Sequence, residues 1–396
     1  MEESKNLIIV GYLNFWYGNG AAIQRMRNYA LAFVAAKVNV YFCPFSLGII
    51  YSEENSIVVD NRIKLISKYR YISRLRRLLI TNKDVENFCD KLVKFANQLP
   101  GKTSFIYYPS ISSLLLNILF PKYMYIKGQN IFLEYNEVRK FDTVKGLLGY
   151  IRRKASCLEE KQMAKYNGIF CITSAIEAYA QKYNKNTIRI PILGDYSVTP
   201  DFERRENGRL NFVFTGTVSF VKENLNEFLK ALSQLPNELD WHLNMYGPIN
   251  SYNEKILSNF VATYHNVKGR IKYCGIKPHN EIATLLSEAS LLILPRRNNS
   301  QNRYGFSTKL SEYLASGTPV LLTDTSDVSL YMENGVNCYL THGYEASNFL
   351  ESLVEFINSS QEIRKRIAIS AFKIGVNNFD YRNYTETMSN FIFLSK

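Results

Sequence analysis

Arg303-Tyr304-Gly305-Phe306-Ser307-Thr308-Lys309-Leu310-Ser311-Glu312-Tyr313-Leu314-Ala315-Ser316-Gly317-Thr318-Pro319 is the densest stretch of the chain. It follows the apolar run Leu291–Pro295 across a polar loop containing Arg296, Arg297 and Asn298. Ser307 and Thr308 are suited to opening a helix, and Gly317 to closing it. The amides at Ser307, Thr308 and Lys309 would lack acceptors inside that helix, so with its dipole they form an anion site. Glu312 falls one turn further along the same face, because positions i and i+4 stack. A carboxylate there can hold ribose or sugar hydroxyls just beyond a diphosphate. The competing reading makes Glu312 a solvated helix residue.

Outward from this segment, strand and helix signals alternate, which predicts α/β architecture with parallel sheets. The first half reads as strands at Leu7–Gly11, Asn39–Cys43, Ser104–Tyr108, Ile131–Tyr135, Gly168–Thr173 and Thr187–Pro191. Between them lie helices at Ile23–Val34, Lys83–Gln98, Ile111–Phe120 and about Val144–Tyr166, with Ser174 as an N-cap. Gly194–Gly208 has no periodicity and reads as a linker. The cycle then restarts with strands at Asn211–Thr215, Trp241–Tyr246, Ile271–Cys274, Leu291–Pro295 and Thr318–Thr323. Helices are expected at Lys222–Gln234, Tyr252–Val261, Asn280–Glu288 and Thr308–Ala315. The expected domains are therefore 1–195 and 209–375, with a helix over 376–396 crossing back to the first.

The 396 residues suit two cores of ~150–200 residues each. No window holds the ~18 apolar residues of a membrane span, and Met1–Asn6 lacks the order of a signal peptide, so a cytoplasmic protein is expected. The cysteines at 43, 89, 157, 171, 274 and 338 are scattered without a CxxC pair and read as reduced thiols. Four histidines make a His/Cys metal site an unsuitable reading. The net charge of +13 leaves nucleic acid, an anionic membrane surface or an anionic substrate as partners. Basic residues crowd Lys64–Lys83 among aromatic and aliphatic ones, and Arg152–Lys154 follows Leu147, Leu148, Tyr150 and Ile151. That mixture suggests a membrane-surface helix, with a solvated helix face as the alternative. RNA-binding signatures are absent, and no nucleic-acid partner is expected.

Two loops join strands to helices. In Tyr17-Gly18-Asn19-Gly20-Ala21-Ala22, Gly20 stands at a helix start and is a candidate donor contact. A dinucleotide reading fails there, since Ile23 occupies the third glycine position and strand two offers no acid. In Thr215-Gly216-Thr217-Val218-Ser219-Phe220-Val221-Lys222, Gly216 permits close approach and Lys222 can reach a phosphate.

Residues Phe212–Gly343 resemble the donor domain of retaining, family-four-like glycosyltransferases of group 1. The resemblance rests on an ordered series: Gly216-Thr217 with Lys222, then Tyr246-Gly247-Pro248, then Gly275-Ile276-Lys277-Pro278-His279-Asn280-Glu281. Ser290–Pro295 and Glu312-Tyr313-Leu314-Ala315-Ser316-Gly317-Thr318-Pro319 complete it. It implies a GT-B fold, two Rossmann-like domains facing across a cleft. It also implies transfer of a sugar from a nucleotide diphosphate sugar to a glycan or lipid-linked acceptor, with retention. Lys222, Lys309 and Glu312 are then the expected catalytic residues. Gly20, Gly216, Thr217, Gly247, Ile276, Lys277, Arg303, Ser307 and Thr308 are the expected donor-binding set. Glu134, Glu137 and Tyr108, at strand ends of the first half, are the acceptor-side candidates. No obligatory metal is expected, because no Asp-x-Asp element sits in a suitable loop. The sequence departs from the family at Tyr304, where a glutamate is usual, and at Thr217, where an arginine is. A GT-B-fold sugar-nucleotide epimerase and a non-catalytic nucleotide-binding scaffold stand as alternatives. Surface polysaccharide or glycolipid assembly, on the inner face of a membrane, is the expected setting.

Overall fold

Parallel strands buried on both faces read as continuous apolar runs, and the central strands here do so. The computed structural model describes residues 3–11, 20–45, 57–66, 80–109, 114–138, 146–203 and 208–394. The chain divides into two units, Met1–Leu193 with Tyr381–Lys396, and Gly194–Asp380. Most of the basic stretch Lys64–Lys83, together with Gly18 and Asn19, lies outside the described residues.

The first unit holds a sheet in the order β3-β4-β2-β1-β5-β6-β7-β8. Its strands are β1 (Lys5–Gly11), β2 (Asn39–Pro44), β3 (Ile57–Asp60), β4 (Ile63–Leu65), β5 (Lys102–Tyr108), β6 (Ile131–Tyr135), β7 (Gly168–Cys171) and β8 (Thr187–Arg189). Neighbours pair in parallel, except that β3 runs antiparallel to β4. The chain builds outward from β1 on one side, then crosses to β5 on the other. The helix Asn82–Ala96 opens on a reciprocal cap, in which the Asp84 amide donates to Thr81 Oγ1 and the Thr81 amide donates to Asp84. Thr173, rather than Ser174, caps the next short helix, accepting from the Ile176 amide at 3.1 Å. The helix Thr385–Phe393 buries Met388, Ile392 and Phe393 in this unit's core. Phe391 packs its ring on Phe132 and Phe170.

The second unit holds a sheet in the order β11-β10-β9-β12-β13-β14, with every pair parallel. The strands are β9 (Leu210–Thr215), β10 (Trp241–Tyr246), β11 (Ile271–Tyr273), β12 (Leu291–Leu294), β13 (Val320–Thr323) and β14 (Tyr339–Thr341). Phe212, Trp241, Phe228, Phe349 and Phe356 form its centre. The segment expected as a linker belongs here: the Gly194 amide donates to Phe379, and the Tyr196 hydroxyl donates to the Ser311 carbonyl at 3.0 Å. The helix expected at Lys222–Gln234 is shorter, Leu225–Leu232, so Lys222 lies in the loop before it.

Glu134 takes a different place from the one expected. It is fully buried at the end of β6, and Arg25 Nε donates to it at 2.5 Å. Arg25 also donates to Tyr29 Oη and to the carbonyls of Ile190 and Pro191 at 2.6–2.8 Å. The carboxylate is thus spent on a buried ion pair inside the unit, and its reading as an acceptor contact is corrected. Burial pushes the Glu134 carboxyl up, against the pull of Arg25. Arg25→Met is expected to cost about 3–5 kcal/mol by leaving that charge unpaired. A carboxyl with a raised folded pKa loses stability as pH rises through that range. The deficit should therefore be largest at neutral pH and shrink as acid protonates Glu134. Urea unfolding at pH 7 and pH 5 checks both.

Candidate functional site

In an open parallel sheet, ligands sit beyond the carboxyl ends of the strands where the strand order reverses. In the second unit that point lies between β9 and β12. Each of these strands is followed by a connection leading to an opposite edge of the sheet. Gly216 ends β9 with φ +113, and Gly247 ends β10 with φ +132. The Gly216 amide donates to the Tyr246 carbonyl at 2.8 Å, and Gly247 to Gly275 at 2.9 Å. A Cβ on Gly247 would stand 2.2 Å from the Gly216 carbonyl oxygen, so the two turns touch backbone to backbone. A Cβ on Gly216 would stand 2.1 Å from Lys309 Cε. Absence of that side chain is what lets Lys309 reach the strand end.

The helix Thr308–Ala315 starts at Ser307 as expected, and Gly317 follows it with φ +67. Its position is set from below. The Tyr313 hydroxyl accepts from the Thr215 amide at 2.9 Å, which ties the helix to the end of β9. Ser311 Oγ meets the Tyr196 hydroxyl at 3.0 Å. The Ser307 hydroxyl is buried and makes no hydrogen bond. Thr308, Lys309 and Glu312 are each partly covered. Burial pushes the Glu312 carboxyl up, and Lys309 offsets part of that rise.

The sequence reading missed the group that Lys309 meets. Lys309 Nζ lies 3.0 Å from Glu223 Oε1, and Arg296 Nε lies 3.3 Å from Glu223 Oε2. The Glu223 side chain is 1% exposed and that of Lys309 15%. The ammonium also sits 4.3 Å from the centre of the Phe214 ring. Burial alone would raise the Glu223 carboxyl, yet Lys309 and Arg296 outweigh it and hold it below the usual range. Lys309 is lowered to about 8, by burial first, with Arg296 and Lys222 adding and Glu223 opposing. Asn302, on the short helix Ser300–Tyr304, clips the two loops together. Its Nδ2 donates to the carbonyls of Lys222 and Arg297 at 2.8 Å, and Arg296 Nη1 donates to its Oδ1 at 3.0 Å. Glu223 lies in the loop after β9 and Arg296 in the loop after β12, so the strand-order rule is the signal that would have pointed to these loops.

The remaining candidates scatter in role. Lys222 is half-buried, and its charge is felt at both Glu223 and Lys309. Thr217 and Ile276 are exposed in the loops after β9 and β11. Lys277 pairs with Glu281 at 3.4 Å. Arg303 is exposed and felt by the Tyr344 hydroxyl, and Tyr304 takes the position where a second glutamate was sought. In the first unit Gly20 caps the helix Ala21–Ala35. Tyr108 ends β5, buried, and accepts from Asn136 Nδ2 at 2.5 Å. Burial, with Glu134 and Glu137 nearby, pushes its hydroxyl upward. Among the described residues no group of three His, Cys, Asp or Glu side chains could hold a metal. No described helix is long and apolar enough to cross a membrane.

Residues 209–359 match the family described as glycosyl transferases group 1. No curated protein matches the chain by sequence at a significant level. Solved structures share the fold along nearly its whole length. Sucrose-phosphate synthase from Thermosynechococcus elongatus superposes with a TM-score of 0.74 at 12% identity, covering 98% of each chain. An E. coli trehalose-6-phosphate structure bound with UDP-2-fluoro glucose gives 0.69 at 11%, covering 98% of this chain and 99% of that one. Anabaena HepE in complex with UDP and glucose gives 0.67 at 12%, covering 97% and 98%.

Gly216→Ala is expected to push Lys309 off the strand end and to strain a left-handed backbone. Chemical denaturation should show a loss of about 1–3 kcal/mol.

Proposed function

From the GT-B fold and the match of residues 209–359 to the glycosyl transferases group 1, we propose that the chain is a glycosyltransferase that moves a sugar from a nucleotide diphosphate sugar to a glycan or lipid-linked acceptor. One observation carries the reading. The Lys309 ammonium and the start of the helix Thr308–Ala315 stand together at Gly216, where a Rossmann-like sheet takes its ligand. UDP in the HepE structure and UDP-2-fluoro glucose in the trehalose-6-phosphate structure support a nucleoside diphosphate as the leaving group.

In this reading the diphosphate lies against the amides of Ser307, Thr308 and Lys309, with Lys309 and Lys222 as counter-charges. Glu312 takes the ribose hydroxyls. Gly216, Thr217 and Gly247 shape the turns around the phosphates, while Ile276 and Lys277 flank the base. Arg303 lies at the outer end. In the step itself the bond from the anomeric carbon to the β-phosphate oxygen breaks with its electron pair leaving on the diphosphate. The acceptor hydroxyl oxygen bonds to that carbon on the same face, and its proton passes to the departing phosphate. Negative charge grows on the diphosphate during bond breaking. The fixed ammonium and amides therefore stabilise the transition state more than the ground state. No step calls for a metal or a cofactor. Glu137 and Tyr108, at strand ends of the first unit, remain the acceptor-side residues of this proposal.

The helix Gly146–Gln162 supports a lipid-linked acceptor. Leu147, Tyr150 and Ile151 are 76%, 54% and 50% exposed at helical spacing, beside Arg153 and Lys154. Apolar side chains in water flanked by cations suit the face of an anionic bilayer, and peripheral association and surface-glycan assembly follow as proposals.

UDP, GDP or ADP is expected to raise the melting temperature; no shift with any of them overturns the reading. Lys309→Met should lower kcat by roughly 10²–10³ in a nucleotide-release assay. Folded protein that binds nucleotide yet releases none with any sugar donor and acceptor favours the scaffold instead. The protein should float with anionic liposomes but not neutral ones, and Leu147→Ser with Ile151→Ser should abolish flotation. Unchanged flotation by that variant removes the helix from the membrane contact.

A further inference from the structure

The donor reading gives Lys309 a ligand and leaves Glu223 without one. A carboxylate 3.0 Å from the ammonium would repel a diphosphate, so its burial there needs a reason. We propose that Glu223 is a positioning residue of the donor site, holding the Lys309 ammonium at Gly216 beside Arg296 so that it stays charged and aimed for a diphosphate. The inference rests on the donor reading above and assigns the residue behind it.

Geometry carries the argument. Lysine has a flexible stem and a point charge, and three features confine this one: the open side of Gly216, the Phe214 ring and Glu223 Oε1. The charged groups felt by or feeling Lys309 are Glu223 and Lys222 from the loop after β9, Arg296 from the loop after β12, and Glu312 from its own helix. Among these, Lys222, Arg296 and Lys309 are cations crowded into a poorly solvated place. Without Glu223, burial and like charge would both favour the neutral amine. With it, the three cations still outnumber the carboxylates around them and leave net positive charge for a diphosphate. Glu223 Oε2 and Arg296 Nε are close enough for an ion pair but are not aligned as a hydrogen bond, and both are buried. The Arg296 fork is therefore not saturated by Glu223, while Lys309 is hydrogen-bonded to it. Burial and the neighbouring cations lower Lys309 to about 8, within reach of ordinary buffers.

Dissociation constants for UDP and for inorganic pyrophosphate, measured calorimetrically from pH 6 to 9, test the role. Wild-type affinity should fall as pH rises through about 8. In Glu223→Gln the fall should move down by about one pH unit or more, so the variant-to-wild-type ratio of dissociation constants grows roughly fivefold or more between pH 6 and pH 8. Glu223→Asp, with a longer reach to the ammonium, should fall between the two and decides the matter if the glutamine variant does not fold. Lys309→Arg should bind without the alkaline fall, because a guanidinium stays charged. A purely structural Glu223 would weaken binding equally at every pH, and that result overturns the proposal. So does an alkaline fall that survives in Lys309→Arg. Wild type that binds neither UDP, GDP, ADP nor pyrophosphate at any pH sinks the donor reading itself. Wild type that binds, with variants sharing its pH profile, sinks the positioning role alone.

Discussion

The chain builds β9, β10 and β11 outward in one direction and must then return across β9 to lay down β12. That reversal is the constraint on which the second unit's chemistry depends. Two adjacent strands end side by side while their continuations lead away from each other. The loops that follow Thr215 and Leu294 therefore start side by side. Glu223 comes from one loop and Arg296 from the other. They meet in an antiparallel bridge, and Asn302 holds both loops through their carbonyls.

Close approach follows from the same reversal. Side chains at positions 216 and 247 would collide with Lys309 and with backbone, so glycine at both lets the turns stack and the lysine pass. The Tyr313 hydroxyl fixes the helix Thr308–Ala315 to the last residue of β9, which sets where its first amides and Lys309 stand. The strength of electrostatic interaction here comes from poor solvation, which is also why an unopposed ammonium would lose its proton. One buried carboxylate settles both matters: it retains the charge and limits where the charge can go.

The two units have related strand orders and use a buried carboxylate in opposite ways. Glu134 faces one guanidinium, whose remaining donors go to Tyr29 and to the Ile190 and Pro191 carbonyls, so one carboxylate meets one cation. Glu223 is shared between two cations and leaves positive charge over. The first arrangement holds the end of the unit's sheet to its first helix. The second leaves something for a ligand to neutralise. Sequence could not separate them, because the partners of each lie far away along the chain.

Local pattern was sufficient for much of this protein. Uninterrupted apolar runs marked the central strands, since parallel strands are buried on both faces. The Ser307-Thr308 start, the Gly317 stop and the 3.6-residue spacing between them located the helix that carries Lys309 and Glu312, because caps and periodicity act within a few residues. The short edge pair β3 and β4 left no such trace, being three or four residues long and only partly buried. The helix start at Lys222 was misplaced because the residues before Leu225 answer to Asn302, Pro295 and Tyr344 rather than to helical spacing. Lys309 and Glu223 are separated by 86 positions, and nothing local couples them. The sequence by itself determined the central strands, the helix Thr308–Ala315 and which helix start could hold an anion, as short-range physics dictates. Only the tertiary structure decided that Glu134 is sealed in an ion pair and that Glu223 stands behind Lys309, because strand order alone chooses which distant charges meet out of water.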